Sequence, residues 1–185
     1  MPYVRCASCG VLSYTSPGDS SGACPDCGVP AARAGDGAEG PDDSERRLDA
    51  LMRLTRDLLD SDVAVLTEIG GGRETARRSA GDWPGMDSFD GAWSPLEDTV
   101  CQRMLEGRIG NYISDAQGDD RVNDLPMVRE LGIGAYLGVP IRLDDVRLYV
   151  LCCLNRESRP SLGNREVRLL SGLAESVRVE LHSLN

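Results

Sequence analysis

The chain has 185 residues, which suits one domain of ordinary size and a small additional segment. Hydrophobic residues make up 41% of the chain and aromatic residues only 4%, so aliphatic side chains must fill most of a core. The formal net charge is −10, and all 20 basic residues are Arg. This acidic balance argues against binding to nucleic acid or to an anionic membrane, because both require positive charge opposite phosphates.

The sequence also bears on the cellular compartment. It begins without an apolar signal region, and no window holds ~18 apolar residues in succession. We therefore expect a cytoplasmic protein. Thiols stay reduced in the cytoplasm, so paired cysteines there are more often metal ligands than disulfides.

Two C-x-x-C-G motifs lie within residues 1–30. Cys6 and Cys9 form the first and Cys24 and Cys27 the second, and fourteen residues separate Cys9 from Cys24. Two thiolates at this spacing bind one metal from a tight turn, and two such turns complete a tetrahedral Cys₄ site. The motifs resemble the zinc-ribbon family. We predict a structural Zn²⁺ site, because four thiolates leave no open coordination position for catalysis. The segment carries little positive charge, which favours a protein partner over DNA.

The next elements follow in chain order. Residues 31–43 contain almost only Ala, Gly, Asp, Glu and Pro, and they predict a flexible linker because they cannot bury apolar area. Apolar residues at helical spacing predict a helix over 44–60 with Ser44 as its N-cap. Residues 62–69 and 73–80 predict two strands of a hairpin, joined by a turn of three glycines.

A second helix is predicted to begin at Ser94 and to end at Gly107. Ser94 supplies the N-cap, Pro95 the first helical position and Glu97 the acidic residue of a capping box. A short strand, a short helix, two strands joined by a tight turn and a long amphipathic helix should follow, over 111–114, 124–131, 135–143, 147–155 and 161–182.

These elements predict an α/β (α+β) domain over 44–185. Tight turns make both hairpins antiparallel, so the sheet should be central and mainly antiparallel, with helices on its faces. Leu169 and Leu173 widen the apolar face of the last helix beyond what one sheet contact requires. We therefore expect a homodimer that forms through the first and last helices.

Several short segments carry a family resemblance. They are Asp98-Thr-Val-Cys101, Tyr112-Ile-Ser-Asp115, Asp120-Arg121-Val122 and the run from Val128 to Pro140. Their order and spacing resemble the GAF domains found beside bacterial signalling domains, including those of cyclic-dinucleotide enzymes. The resemblance implies a ligand-binding or dimerising sensor, with a pocket between one face of the sheet and the loops and helices over it.

The last hairpin departs from the family pattern. Asp145-Val146 stands where relatives usually have Asp-Gly, and the run Tyr149-Val150-Leu151 is one residue shorter than in relatives. A change of one residue moves side chains to the other face of a sheet or removes a bulge. The pocket should therefore differ from those of relatives or be filled.

Six residues are candidates for the pocket, and they combine aromatic, thiol and charged groups: Trp93, Cys101, Asp115, Arg121, Tyr136 and Cys152. Arg121 is a candidate clamp for an anionic ligand. The alternative is that Asp115 and its acidic neighbours cap a turn and form a local ion pair with Arg121. For Trp93 and Tyr136, the alternative to a ligand contact is a packing role in the core or a position at the rim of the pocket.

The remaining thiols are those of Cys101, Cys152 and Cys153. Cys152 and Cys153 are neighbours on a strand and point to opposite faces, so one of them should meet Cys101 in the core. One interpretation is a thiol redox sensor or reductase. Another is inert packing, since no His or Lys lies near them in the sequence to lower a thiol pKa.

The sequence therefore predicts a non-enzymatic cytoplasmic regulatory protein, in which a zinc ribbon is tethered to a GAF-like sensor. Its expected partners are a second copy of the chain, a protein bound by the ribbon and a small-molecule ligand. Two alternatives stay open. One is redox chemistry by Cys101 with Cys152 or Cys153; the other is an adaptor whose pocket is vestigial and filled.

Overall fold

The computed structural model describes four stretches of the chain: 3–5, 12–14, 43–86 and 88–184. The chain divides into two compact units, Met1–Gly40 and Pro41–Asn185. In the first unit, β1 (Tyr3–Arg5) pairs antiparallel with β2 (Leu12–Tyr14). The four predicted zinc ligands lie outside the described residues.

The second unit contains six strands, four α-helices and one 3₁₀ turn among its described residues. In chain order they are α1 (Asp43–Leu58), β3 (Val63–Gly70), β4 (Arg73–Gly81), β5 (Trp93–Pro95), a 3₁₀ turn (Leu96–Asp98), α2 (Val100–Leu105), β6 (Tyr112–Ile113), α3 (Pro126–Leu131), β7 (Ala135–Arg142), β8 (Leu148–Asn155) and α4 (Asn164–Ser183). None of the described helices is long and apolar enough to cross a bilayer.

The six strands form one sheet in the order β5-β4-β3-β8-β7-β6, and every neighbouring pair is antiparallel. Both predicted hairpins are confirmed. The β3–β4 turn uses Gly71 and Gly72 at positive φ, a conformation that side chains disfavour. Strand β8 pairs in unbroken register with β3 and with β7, whereas β3 shifts register against β4 between Leu66 and Thr67.

Helices α1 and α4 cover one face of this sheet. Their buried side chains, among them Met52 and Leu170, pack against Leu66, Leu137 and Leu151. Because side chains alternate along a strand, the odd-numbered residues of β7 and β8 face these helices. The predicted amphipathic helices are confirmed, with the apolar stripe of each turned to the sheet.

The opposite face of the sheet is covered by shorter elements. Helices α2 and α3 and the stretches 83–86 and 88–92 lie over it. Their apolar side chains, such as Val100, Val128 and Phe89, join those of β3 and β8 in a second core. Layers of helix and connecting segments on both faces give the predicted sheet-centred α+β architecture.

The predicted start of the second helix at Ser94 is wrong. Ser94 lies in β5 opposite Glu74 of β4, and Pro95 is extended, with ψ 134°. Without this pairing, β4 would be the edge strand of the sheet, with unpaired backbone N–H and C=O groups. Pairing with Trp93–Pro95 gives some of these groups hydrogen-bond partners. Helix α2 begins one turn later, where the hydroxyl of Thr99 accepts a hydrogen bond from the Gln102 amide at 3.2 Å.

Candidate functional site

A cavity of about 360 Å³ lies on the sheet face opposite α1 and α4. Its floor is formed by strand residues that include Val65, Thr67 and Ala76. Met86, Phe89 and Trp93 line another part, and α3 contributes Met127 and Leu131. The volume is near the lower end of the range for small-molecule sites, and the lining is mainly apolar, as such sites usually are.

Two aromatic residues, Trp83 and Phe89, connect α3 with the part of the lining that follows β4. Nε1 of Trp83 donates a hydrogen bond of 3.0 Å to the carbonyl of Leu131. The Trp83 and Phe89 rings meet edge to face, with centroids 6.1 Å apart. These contacts hold two sides of the cavity together.

Glu74 is the charged residue most deeply placed in the lining. It is 5% exposed, and its Oε2 has no hydrogen-bond partner among the described residues. Burial raises the pKa of this carboxyl above its ordinary value, and the side chains of Thr99, Cys101 and Thr67 oppose that increase in part. An incompletely paired carboxyl in an apolar cavity is costly, which makes it a candidate for ligand contact.

Cys101 and Tyr136 form a buried polar contact beside the cavity. The Tyr136 hydroxyl donates to Sγ of Cys101 at 3.3 Å. The neighbouring thiol of Cys152, burial and the charge of Glu74 raise the pKa of Cys101 well above its ordinary value. Burial, followed by the nearby Cys101 and Cys152, likewise raises the pKa of Tyr136 well above its ordinary value. The Cys101 thiol therefore remains protonated at neutral pH, which makes it a poor nucleophile.

The two adjacent cysteines of β8 face opposite sides of the sheet. Cys152 lies in the core that contains Cys101, whereas Cys153 lies in the core formed by α1 and α4. Burial raises the pKa of Cys153 to about 12. The hypothesis that Cys101 forms a redox pair with Cys153 is therefore wrong, because the sheet separates the two thiols.

The structure separates the six predicted pocket residues into two groups. Trp93, Cys101, Tyr136 and Cys152 line the cavity. Asp115 and Arg121 do not line it.

Asp115 and Arg121 instead make local contacts. Oδ1 of Asp115 accepts the Gly118 amide at 3.2 Å, which caps a turn. The Arg121 guanidinium makes a two-point contact with Asp119 at 2.9 and 2.6 Å, and its side chain is largely exposed. These are the capping and ion-pair roles that the sequence offered as the alternative.

Trp93 lies at the rim of the cavity. Its side chain is 55% exposed, and the Arg73 guanidinium stacks on its ring, 4.3 Å from the centroid. Trp93 therefore forms part of the cavity wall near solvent, whereas Arg73 is not part of the lining.

Sequence reasoning missed Glu74. The signal is its position on β4: two residues before the buried Ala76, it shares the face that turns to the core. Acidic side chains are rarely buried without a partner, so one on the core-facing side of a strand marks a candidate functional position.

Comparison with known proteins places this geometry in a family. A model described as GAF domain matches residues 43–181. The chain belongs to the GAF domain family, whose members are signalling and sensor modules.

One curated relative matches part of the chain. A cyclic di-GMP phosphodiesterase of Pseudomonas aeruginosa is 29% identical over 124 residues, which are 66% of this chain and 20% of that enzyme. The chain thus spans about a fifth of the length of this curated relative.

Solved structures share the fold. The phycoerythrobilin-bound GAF domain of a cyanobacterial phytochrome superposes with a TM-score of 0.60 at 16% identity, over 75% of this chain and 85% of that one. A GAF domain/HD domain protein from Geobacter sulfurreducens also gives a TM-score of 0.60 at 16% identity, over 76% and 93%.

Proposed function

We propose that this protein is a non-enzymatic cytoplasmic regulator whose GAF domain binds a small ligand in the cavity opposite α1 and α4. The cavity itself carries the proposal: it is mainly apolar, large enough for a small molecule and bordered by one buried acidic group. The adaptor hypothesis predicts a filled pocket, and a cavity of about 360 Å³ does not fit that expectation.

The lining offers little for catalysis. Among the described residues that line the cavity there is no His, Lys or Arg. Its reactive candidates are Cys101 and Glu74, and both have pKa values raised above their ordinary values. The raised pKa leaves the thiol protonated, and no His, Lys or Arg among the described lining residues stands beside Glu74 to complete a catalytic set, so we propose a binding role for these groups.

Titration with indole tests the ligand-binding proposal. Indole is neutral and apolar, so it probes the cavity without relying on charge. We expect amide shifts in the NMR spectrum of the full chain to concentrate on residues lining the cavity. Ala76→Leu, which adds carbon atoms to the floor, should abolish them, and Val146→Leu at the exposed hairpin turn is the control. Absence of cavity shifts in the parent at millimolar indole contradicts the proposal.

We also propose that the amino-terminal segment is a zinc ribbon that docks a partner protein. The β1–β2 pairing supports this, because Arg5 lies opposite Leu12 and the intervening sequence contains Cys6 and Cys9. Two paired strands whose connecting sequence carries two cysteines at this spacing suit a metal-binding motif. Cys24 and Cys27 are proposed to complete the ligand set, with Zn²⁺ stabilising the fold of this segment.

A second copy of the chain is the proposed partner of the outer surface of α1 and α4. Leu54 and Leu58 of α1 are exposed, as are Leu169 and Val179 of α4. The two helices are antiparallel neighbours, linked by an ion pair of 2.9 Å between Arg47 and Glu180. Exposed apolar side chains on adjacent helices form a surface suited to a symmetric dimer.

Redox chemistry is the second candidate, and the proximity of Cys101 and Cys152 is the observation that favours it. Hydrogen peroxide can oxidise two such thiols to a disulfide, with loss of two hydrogens and formation of water. Intact-mass and peptide analysis after peroxide treatment distinguishes the candidates. We expect both thiols to remain reduced; a Cys101–Cys152 disulfide that thioredoxin reverses would favour the redox role.

A further inference from the structure

The acidic lining of the cavity indicates which ligands it accepts. Glu74 lies within the lining, and Asp98 and Glu130 also line the cavity. None of the described residues that line the cavity is basic; the Arg73 guanidinium stacks on the Trp93 ring at the rim and is not part of the lining. The fields of these carboxylates add, so the cavity disfavours anions and favours cations.

Glu74 adds a specific contact point to this general preference. The side chain is nine-tenths or more buried, and Oε2 has no hydrogen-bond partner among the described residues. A buried carboxyl that lacks a full set of donors carries a desolvation cost, and a cationic group placed against it in the cavity would reduce that cost. The side chains of Thr99, Cys101 and Thr67 favour the ionised carboxyl only in part, because the hydroxyls of Thr67 and Thr99 also donate to the carbonyls of Val150 and Leu96, at 3.4 and 2.9 Å.

We propose that the Glu74 carboxyl recognises a cationic ligand: a small, largely apolar amine whose ammonium group donates a hydrogen bond to this carboxylate where Glu74 lines the cavity. The apolar remainder of the ligand would pack on Val65, Ala76, Phe89 and Leu131, which line the same cavity. The inference rests on the proposed function, since it names the ligand class of that same cavity.

Charge pairing and shape act together at this site. An ammonium group buried against a carboxylate makes a charge-assisted hydrogen bond, which is stronger than a neutral one. An apolar body then fills a cavity in which water finds few partners.

Three indole derivatives of nearly equal size test the inference on the full chain: tryptamine is cationic, tryptophol neutral and indole-3-propionate anionic. We expect tryptamine to bind about tenfold or more tightly than tryptophol, because hydrogen bonds to charged groups contribute more than neutral ones. Indole-3-propionate should bind most weakly. Isothermal titration calorimetry at constant ionic strength gives the three affinities.

Glu74→Gln assigns the preference to one residue. The substitution removes the charge at nearly constant volume, so the tryptamine preference should fall to about twofold or less while tryptophol still binds. Glu97→Gln is the matched control, because Glu97 is exposed and does not line the cavity. A tryptamine preference that survives Glu74→Gln overturns the assignment to Glu74.

The affinity of the parent for tryptamine should also rise with pH as Glu74 ionises. The other titratable groups of the lining are Asp98 on the 3₁₀ turn, Cys101 on α2, Glu130 on α3, Tyr136 on β7 and Cys152 on β8. This measurement needs no variant, so it decides the question even if Glu74→Gln does not fold.

The outcomes separate the two proposals. If tryptophol and indole bind as well as tryptamine, the cavity is a ligand site and the cationic preference is wrong. If none of the indole derivatives binds at millimolar concentration, both the preference and the proposed function are contradicted.

Discussion

The phenol oxygen of Tyr136 occupies the space where a side chain on Gly138 would stand. A Cβ added to Gly138 would lie 2.1 Å from that oxygen. The two residues lie two apart on β7 and therefore face the same side of the sheet. The absence of a side chain at Gly138 lets Tyr136 extend along the strand and reach Cys101 of α2.

Gly138→Ala should displace the Tyr136 ring and destabilise the domain. Overpacking a core commonly costs about 1–3 kcal/mol, and here the ring must also leave its contact with Cys101. Chemical denaturation measures the change in the free energy of unfolding. Gly110→Ala is the control, because a Cβ there meets no heavy atom within 4 Å. Equal stability of Gly138→Ala and the parent would refute this close approach.

Tyr136→Phe isolates the hydroxyl from the ring. The change removes the donor to Cys101 and leaves the packing, so the free energy of unfolding should fall by about 0.5–1.5 kcal/mol. Tyr149→Phe is the control, because the Tyr149 hydroxyl makes no hydrogen bond among the described residues. Matching losses in the two variants would show that the contact with Cys101 contributes nothing.

Stability should depend on pH through Glu74. Burial raises the pKa of this carboxyl above 4.5 in the folded state, so the folded protein binds the proton more tightly than the unfolded chain. The resulting loss of stability begins as pH rises above the unfolded pKa and is complete above the folded pKa.

Glu74→Gln removes this titration. Its free energy of unfolding relative to the parent should therefore increase as pH rises from about 4.5 towards 8. Denaturation midpoints at several pH values, with Glu97→Gln as the control, measure the trend. A relative stability independent of pH would show that Glu74 has the same pKa in both states.

Dimerisation should depend on the exposed leucines of α1. A double variant, Leu54→Glu with Leu58→Glu, places charges on the proposed interface and should convert the dimer to monomer in sedimentation velocity. Val146→Glu is the control, because Val146 is 87% exposed in the β7–β8 turn, away from these helices in the sequence. A parent that sediments only as monomer at micromolar concentration contradicts the dimer proposal.

The amino-terminal cysteines should bind one zinc ion per chain. Cys24→Ser should remove most of that metal, because a tetrahedral structural site needs all four ligands, while the thermal transition of the GAF domain should be unchanged. Metal analysis of the purified full chain gives the stoichiometry. Asp26→Asn, inside the same motif, is expected to keep its zinc, and a metal-free parent purified under reducing conditions would contradict the ribbon.

The fold could be predicted well from local patterns. The continuous apolar runs of β3 and β8, which are buried on both faces of the sheet, indicate strands, and the periodic leucines of α1 and α4 indicate helices. Tight turns set the strand directions. Ser94 shows where this reasoning fails. Its capping signal is genuine in isolation, but the open edge of β4 pairs with this segment and overrides it.

The site was predicted less completely than the fold. Tyr136, Cys101 and Cys152 belong to segments with recognisable patterns, and the structure brings them together. Arg121 was a reasonable anion clamp by residue type, but its partner Asp119 is only two residues away and holds it at the surface. The role of Glu74 depends on the strand register, which composition does not reveal.

Native mass spectrometry of the full chain, purified from the cells that make it, tests the central claim most directly. The account predicts that the parent retains a small molecule, which denaturation releases and which is absent from the cavity-filled Ala76→Leu variant. Parent and variant preparations that carry no bound small molecule, or that retain the same one equally, would contradict ligand binding in this cavity.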